Sequence, residues 1–186
     1  MRIPPRIARL REEDGFTLIE LTIVMAVLTI GILSLVAAYS SGYVAMKRAT
    51  RVSSAQLLAD SQMERFRALS YTSIALNTTC GANCSEDATY TGDTAYSSTA
   101  QISGCGTQDQ TCLPSQTRTG PDGNSYRMDT YITWSCLSGT LSTSPSPTCG
   151  ATAPIPVKLI TVIVRQSGTT AVLVREQSTF TSDTGS

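Results

Sequence analysis

The feature that most constrains this chain is a long apolar segment near its N-terminus. Residues 16–46 are apolar almost throughout, and residues 21–46 carry no charged side chain. A helix rises about 1.5 Å per residue, so the window from Leu21 to Tyr39 is long enough to cross a hydrocarbon core of about 30 Å. The segment therefore predicts a transmembrane helix.

The residues that precede the apolar segment are charged. Residues 1–15 contain four arginines and then three consecutive acidic residues. Basic residues before a membrane span favour a cytoplasmic N-terminus, although Lys47, Arg48 and Arg51 on the other flank weaken this argument. A secretory signal is the alternative, but its apolar region is typically about 7–15 residues long and ends at a small-residue cleavage site. We therefore interpret residues 1–15 as a short cytoplasmic leader.

The helical pattern continues beyond the apolar segment in amphipathic form. From Val52 to Leu69, apolar residues recur at spacings of three and four, and polar or charged residues occupy the positions between them. The pattern predicts a single helix over residues 16–70. Residues 16–46 would form its transmembrane half, and residues 47–70 an amphipathic half that packs on the chain's own domain.

Residues 71–186 are predicted to form an exported domain of loops and antiparallel strands. Residues 77–124 show no sustained periodicity, which predicts a long loop region with room for one or two short strands. Alternation from Tyr126 to Trp134 predicts a strand, and the β-branched runs 157–165 and 170–175 predict a hairpin. The expected fold class is α+β, a long helix on a small antiparallel sheet of three or four strands with disulfide-held loops.

Six cysteines follow the apolar segment, and the chain contains no histidine. The cysteines are Cys80, Cys84, Cys105, Cys112, Cys136 and Cys149. An even number confined to the exported part is typical of disulfides formed in an oxidising compartment. Zinc binding is the alternative, but the spacings lack a two-residue knuckle and no histidine can complete a mixed site. We expect disulfides and no metal site.

The sequence does not choose among the possible pairings of these cysteines. Short loops cost less entropy to close, which favours sequential partners. The pairs predicted on this ground are Cys80–Cys84, Cys105–Cys112 and Cys136–Cys149.

The apolar segment opens with a recognisable motif, Gly15-Phe16-Thr17-Leu18-Ile19-Glu20. This motif resembles the N-terminus of type IV prepilins, a family that includes the pseudopilins of type II secretion. In that family, prepilin peptidase cuts after the glycine and N-methylates the new first residue. The resemblance implies cleavage after Gly15, methylation of Phe16 and an assembly role for Glu20. It is strongest over residues 11–45 and continues more loosely over residues 61–69, which are similar to minor pilins and minor pseudopilins.

The physical chemistry of Glu20 agrees with this resemblance. A lone carboxylate in an apolar helix costs about 2–3 kcal/mol or more, so it normally has a partner. After cleavage, the α-ammonium of Phe16 would lie four residues before Glu20 and could neutralise it in the same chain or a neighbouring subunit. Pairing between subunits would fix their axial register, because a slip leaves a buried charge unpaired. The alternative is an ordinary signal-anchor whose glutamate reaches the headgroups.

The resemblance implies three partners: prepilin peptidase, other pilins or pseudopilins, and membrane lipid before assembly. Because 14 basic residues balance 14 acidic residues, we expect no nucleic-acid partner. The predicted protein is a filament subunit, more like a minor than a major pilin, without enzymatic activity or cofactor. It would span the cytoplasmic membrane once, with an extracytoplasmic C-terminal domain. The alternatives are a type II secretion pseudopilin and a pilus-tip module for adhesion or DNA uptake.

Two sets of charged residues in the exported domain suggest weaker hypotheses. The acids that could help bind calcium are Glu86, Asp87, Asp93 and Asp109. They lack a regular ligand spacing, which favours a solvated loop surface instead. The arginines that could contact DNA in an uptake pilus are Arg118, Arg127, Arg165 and Arg175. The exported domain is not basic overall, which argues against this role.

Overall fold

The computed structural model describes residue 15 and residues 17–78, 87–105, 110–136 and 156–181. The chain divides into two compact units, Met1–Met46 and Lys47–Ser186. The division falls inside the long helix α1, which covers Leu18–Arg67. The helix predicted over residues 16–70 is therefore present with ends trimmed by two or three residues.

In the first unit, α1 is apolar on every side and none of its residues is buried. Its large apolar side chains are exposed, for example Leu18 at 81% and Met46 at 71%. Its hydroxyl groups donate to carbonyl oxygens within the helix, as Thr29 does to Met25 at 2.7 Å and Ser40 to Val36 at 2.6 Å. Such bonds satisfy polar groups without water, as a lipid environment requires. Among the described residues, α1 is the one helix long and apolar enough to cross a membrane.

The second unit is built on a four-stranded antiparallel sheet with the strand order β1-β2-β3-β4. The strands are β1 (Ser115–Thr119), β2 (Ser125–Cys136), β3 (Pro156–Gln166) and β4 (Val172–Phe180). β2 and β3 pair along their whole length, from Tyr126 opposite Gln166 to Cys136 opposite Pro156. The predicted hairpin is β3–β4, and its turn contains Gly168 at a φ of 75°, a conformation that favours glycine.

One face of the sheet carries the main hydrophobic core. Four fully buried residues of α1 face this core: Ala55, Ala59, Met63 and Phe66. Their partners on the sheet include Met128, Ile132, Ile160, Val162 and Val164. The α1 residues recur at spacings of three and four, so the amphipathic stripe predicted from the sequence is the buried face. Val52 is the exception, since its side chain is 38% exposed.

The opposite face of the sheet is covered by the first part of the segment 87–105, a layer that the sequence did not predict. Ile102 and Cys105, at the end of this segment, pack in the main core instead. The short helix α2, Ala88–Thr91, contains Tyr90, which is fully buried and stacks on Tyr131 of β2 with ring centroids 4.3 Å apart. The Tyr90 hydroxyl donates to the Thr130 carbonyl at 2.7 Å, and the Tyr131 hydroxyl donates to the Tyr90 carbonyl at 3.0 Å. Successive side chains of β2 therefore point to opposite faces of the sheet, and both of these faces are buried.

A buried lysine connects the segment that follows α1 to the sheet through hydrogen bonds. Lys158 of β3 is 4% exposed, and its Nζ donates to the carbonyls of Tyr71 at 2.6 Å and Ile74 at 2.8 Å. The same ammonium lies 4.5 Å from the centroid of the Tyr71 ring. Burial lowers the pKa of this amine, while the two carbonyls and the ring stabilise its charged form.

The structure contains the Cys105–Cys112 disulfide, one of the three predicted pairs. Cys136 is also disulfide-bonded. Cys80, Cys84 and Cys149 lie outside the described residues, so the pairs Cys80–Cys84 and Cys136–Cys149 remain predictions. A bridge that closes a loop as short as that between Cys105 and Cys112 contributes about 2–3 kcal/mol through the unfolded chain.

Candidate processing and assembly site

The helix α1 begins with a capping arrangement that involves two residues of the N-terminal motif. The Oγ1 of Thr17 accepts a hydrogen bond from the Glu20 amide at 3.4 Å, and the Thr17 carbonyl accepts from the Leu21 amide at 3.1 Å. Threonine at the N-cap with glutamate three residues later is a pattern that begins helices, because it satisfies amides that have no partner within the helix. The motif therefore places the start of α1 directly after residue 17.

Gly15 lies before the first residue of α1. It is exposed, and beyond its chain neighbours no atom of the described residues lies within 4 Å of the position that a Cβ would occupy there. A glycine in open, non-helical chain can adopt the extended conformation that a protease requires. Phe16 lies outside the described residues, so its methylation and its pairing with Glu20 remain proposals.

Glu20 stands in the first turn of α1 among exposed apolar neighbours. A carboxylate in the first turn interacts favourably with the positive end of the helix dipole. Within the part of the chain that the structure describes, Glu20 forms no salt bridge with a basic side chain. In a lipid or protein environment, its charge therefore needs a partner from beyond the described residues.

A polar cluster that is separate from the N-terminal motif lies between the sheet and the layer formed by residues 87–105. At its centre, the fully buried carboxylate of Asp129 accepts from Arg127 Nε at 2.8 Å, Arg165 Nε at 3.0 Å and Ser115 Oγ at 2.8 Å. Three donors on a single buried carboxylate compensate for its lost hydration. We call Asp129 and the ion pairs around it the charge cluster.

Two acids of the covering layer complete the charge cluster. Asp87 forms a bidentate pair with Arg127, and this hydrogen bonding lowers the pKa of Asp87 from 3.8 to about 2. Asp93 pairs with Arg165 and accepts from Arg175 Nη2 at 2.8 Å. Burial raises the pKa of Asp93, but hydrogen bonds from the Ala95 amide, Arg175 and Arg165 outweigh burial and lower it.

The charge cluster revises both hypotheses about charged residues. Asp93 was expected on a solvated loop surface, but its side chain is only 6% exposed and is paired with two arginines. The same applies to three of the arginines. Their guanidinium groups donate hydrogen bonds to the carboxylates of the charge cluster, so they do not form an unpaired basic surface that could bind DNA. These arginines are Arg127, Arg165 and Arg175, and the carboxylates belong to Asp87, Asp93 and Asp129. Glu86 and Asp109 lie outside the described residues. The described residues include no group of three or more acids or cysteines arranged to hold a metal ion.

Sequence reasoning missed the charge cluster because its pairs are far apart along the chain. Asp87 and Arg127 are separated by 40 positions, and Asp93 and Arg165 by 72. One local signal was present: Arg127 and Asp129 stand two residues apart in β2 and therefore point to the same face of the sheet. Charges of opposite sign on one face of an otherwise apolar strand indicate a paired, covered site.

Comparison with known proteins gives one match, at the N-terminus. A family model described as the prokaryotic N-terminal methylation motif matches residues 10–36. This range contains Gly15, Phe16, Glu20 and about the first two thirds of the apolar segment. No curated protein and no solved structure shows significant similarity to the chain. The matched motif and the apolar helix α1 support a type IV prepilin-like protein.

Proposed function

We propose that this protein is a filament subunit, most like a minor pilin, that is processed by prepilin peptidase and assembled through α1. In this proposal the chain is cut between Gly15 and Phe16, and the new N-terminus is methylated. The observation that carries the proposal is the apolar half of α1, which begins within the matched methylation motif and has no buried residue.

An exposed apolar helix of this length requires a non-aqueous environment. Each large apolar side chain left in water forgoes about 1.5–3 kcal/mol of transfer free energy. Lipid can supply that environment before assembly, and the helices of other subunits can supply it afterwards. The same surface therefore serves as membrane anchor and as filament core, which accounts for the proposed partners: membrane lipid and other pilins or pseudopilins.

Glu20 gives the proposed assembly its register. Its side chain projects from the first turn of α1, near the N-terminus that cleavage would create. The ammonium of Phe16 keeps its positive charge when methylated, so a charge pair with Glu20 of a neighbouring subunit survives processing. A subunit displaced by one position would leave both charges unpaired in an apolar core, at a cost of several kcal/mol.

Two observations bear on the alternatives. A tip-binding module would be expected to present aromatic anchors on its loops. The tyrosines available for this in residues 77–124 are Tyr90, which is fully buried, and Tyr96, which contacts Tyr90 edge-on. This favours a structural subunit over an adhesin. A type II secretion pseudopilin would share the motif and the helix-on-sheet domain, and it remains the second candidate.

Mass analysis of the protein from membranes tests the proposal. Co-expression with a prepilin peptidase should give an intact mass and an N-terminal peptide that begin at N-methylated Phe16. A Gly15→Val chain should keep its leader, because a branched side chain would fill the space that glycine leaves open at the proposed cleavage position. Assembled protein that retains Met1, or a cut beyond residue 36, would contradict the proposal.

A further inference from the structure

A small cavity between α1 and the sheet is lined by two arginines. It has a volume of about 30 Å³ and is bounded by Leu58, Ser61, Gln62, Arg65, Arg118 and Met128. Arg65 comes from α1, and Arg118 comes from the edge strand β1. Both elements belong to the second unit, and the cavity lies on the face of the sheet opposite the charge cluster.

One hydrogen-bond donor of Arg118 has no acceptor among the described residues. Its Nε donates to Gln116 Oε1 at 2.9 Å, but its Nη2 is buried and has no hydrogen-bond partner among the described residues. A buried donor without an acceptor costs about 1–3 kcal/mol, and more when it is charged. The arginines of the charge cluster have no such orphan, because each one meets a carboxylate.

The charges around the cavity are of one sign. In the described part of the chain, neither Arg65 nor Arg118 forms a salt bridge, and Glu64, the acid next to Arg65, pairs with Arg67 instead. Burial, followed by the nearby charge of Arg65, lowers the pKa of Arg118. Two guanidinium groups held together without a carboxylate repel one another unless an anion lies between them.

We propose that Arg65 and Arg118 form a binding site for a small oxyanion, a carboxylate or an inorganic phosphate or sulfate. Guanidinium groups bind such anions through paired N–H donors. The cavity has room for about one or two oxygen atoms, since a water molecule needs about 10–15 Å³ of such space, so a phosphate or sulfate would place only one or two of its four oxygens inside it. The Ser61 hydroxyl, on the same cavity wall, adds a neutral donor. The apolar floor of Leu58 and Met128 limits hydration and strengthens the attraction.

Thermal unfolding of the full chain in uncharged detergent tests this site. The melting temperature is measured in tens of millimolar sodium sulfate, sodium phosphate or sodium acetate, each against sodium chloride of equal ionic strength. A bound oxyanion should raise the melting temperature of the wild type by about 2–4 °C, provided that its concentration is several times the dissociation constant. An acetate effect equal to the sulfate effect would identify a carboxylate ligand. A sulfate and phosphate effect alone would identify a tetrahedral one.

Three variants separate the site from general salt effects. Arg118→Gln and Arg65→Gln should lose the oxyanion-dependent rise. Arg48→Gln, which removes an exposed arginine of the same helix, should keep it. In chloride, Arg118→Gln should melt no lower than the wild type, because the substitution removes an unpaired buried donor. Equal rises in wild type and Arg118→Gln, or no rise over chloride in the wild type, would overturn the proposal. If Arg118→Gln fails to fold, the Arg65→Gln comparison decides.

Discussion

At the scale of single residues, two carboxylates have opposite surroundings. Asp129 is fully buried and receives hydrogen bonds from two arginines and a serine, so its charge is neutralised within its own domain. Glu20 is exposed on an apolar helix and forms no salt bridge within the described residues. The first arrangement stabilises one fold, whereas the second leaves a charge available to another molecule. Substitution of each should therefore affect a different property.

Replacement of Glu20 should disturb assembly and leave insertion intact. Glu20→Ala makes α1 more apolar, so membrane insertion and cleavage should continue, while the charge that sets the register is lost. We expect at least a several-fold decrease of the protein in sheared filaments relative to the membrane fraction. Immunoblots of the two fractions measure this. Glu64→Ala, at an exposed glutamate of the same helix, is the matched control, and equal incorporation of both variants would rule out a special role for Glu20.

Replacement of Asp129 should destabilise the domain. Asp129→Asn keeps the shape of the side chain but leaves Arg165 and Arg127 with a neutral neighbour in a covered site. Breaking a buried pair on one side costs about 3–5 kcal/mol, and the remaining pair with Asp93 places our expectation near the lower value. Thermal unfolding measures the change. Glu64→Gln removes an exposed pair and should shift stability by about 0.5 kcal/mol or less. Similar effects of the two substitutions would show that the charge cluster adds little.

At the scale of elements, the sequence predicted those features that depend on local periodicity. The amphipathic stripe predicted the buried face of α1. Alternation predicted β2, and the runs of β-branched residues predicted the β3–β4 hairpin. The layer formed by residues 87–105 could not be predicted in this way, because Tyr90 packs on Tyr131 and Asp93 pairs with Arg165, partners that are distant in the chain. β1 was expected only as one of two possible short strands, since all five of its residues are polar.

The candidate site shows the same division. The methylation motif is a contiguous run of residues, so its position could be recognised without a structure. The cap that joins Thr17 to Glu20 follows from a spacing of three and is equally local. The cavity between Arg65 and Arg118 is different, because it exists only where a helix crosses a strand 53 positions away by residue number. No spacing rule connects the two arginines.

The covering layer should loosen in acid. Both Asp87 and Asp93 have lowered pKa values in the folded protein, so the unfolded chain binds more protons as the pH falls. Their stabilisation is complete above the ordinary carboxyl value of 3.8 and is lost as the pH falls toward 2, the approximate folded pKa of Asp87. We therefore expect the melting temperature to fall across this range. Asp87→Asn should melt lower at neutral pH and show a shallower fall, and an unchanged slope in that variant would contradict the assignment.

At the scale of the whole molecule, the two units differ in whether their apolar side chains are buried within the chain. The described part of the first unit is helical from Leu18 onward, and its large apolar side chains are all exposed, so they require a non-aqueous environment. The second unit covers both faces of its sheet and pairs most of the charges that it buries. Every buried residue of α1 belongs to the second unit, the first of them being Ser54. The division between the units therefore precedes the point at which burial within this chain begins.

This division predicts that a fragment beginning at Lys47 folds alone. It keeps every buried residue of α1, the whole sheet and the Cys105–Cys112 disulfide, and it loses the surface that drives association. We expect a soluble monomer with cooperative thermal unfolding, measured by light scattering after size-exclusion chromatography and by circular dichroism. A fragment beginning at Asp60 loses Ala55 and Ala59 from the core and should melt at least 5–10 °C lower, since large losses of core contact cost about 2 kcal/mol or more. If the longer fragment aggregates or unfolds without cooperativity, the apolar half of α1 contributes to the fold of the domain as well as to assembly.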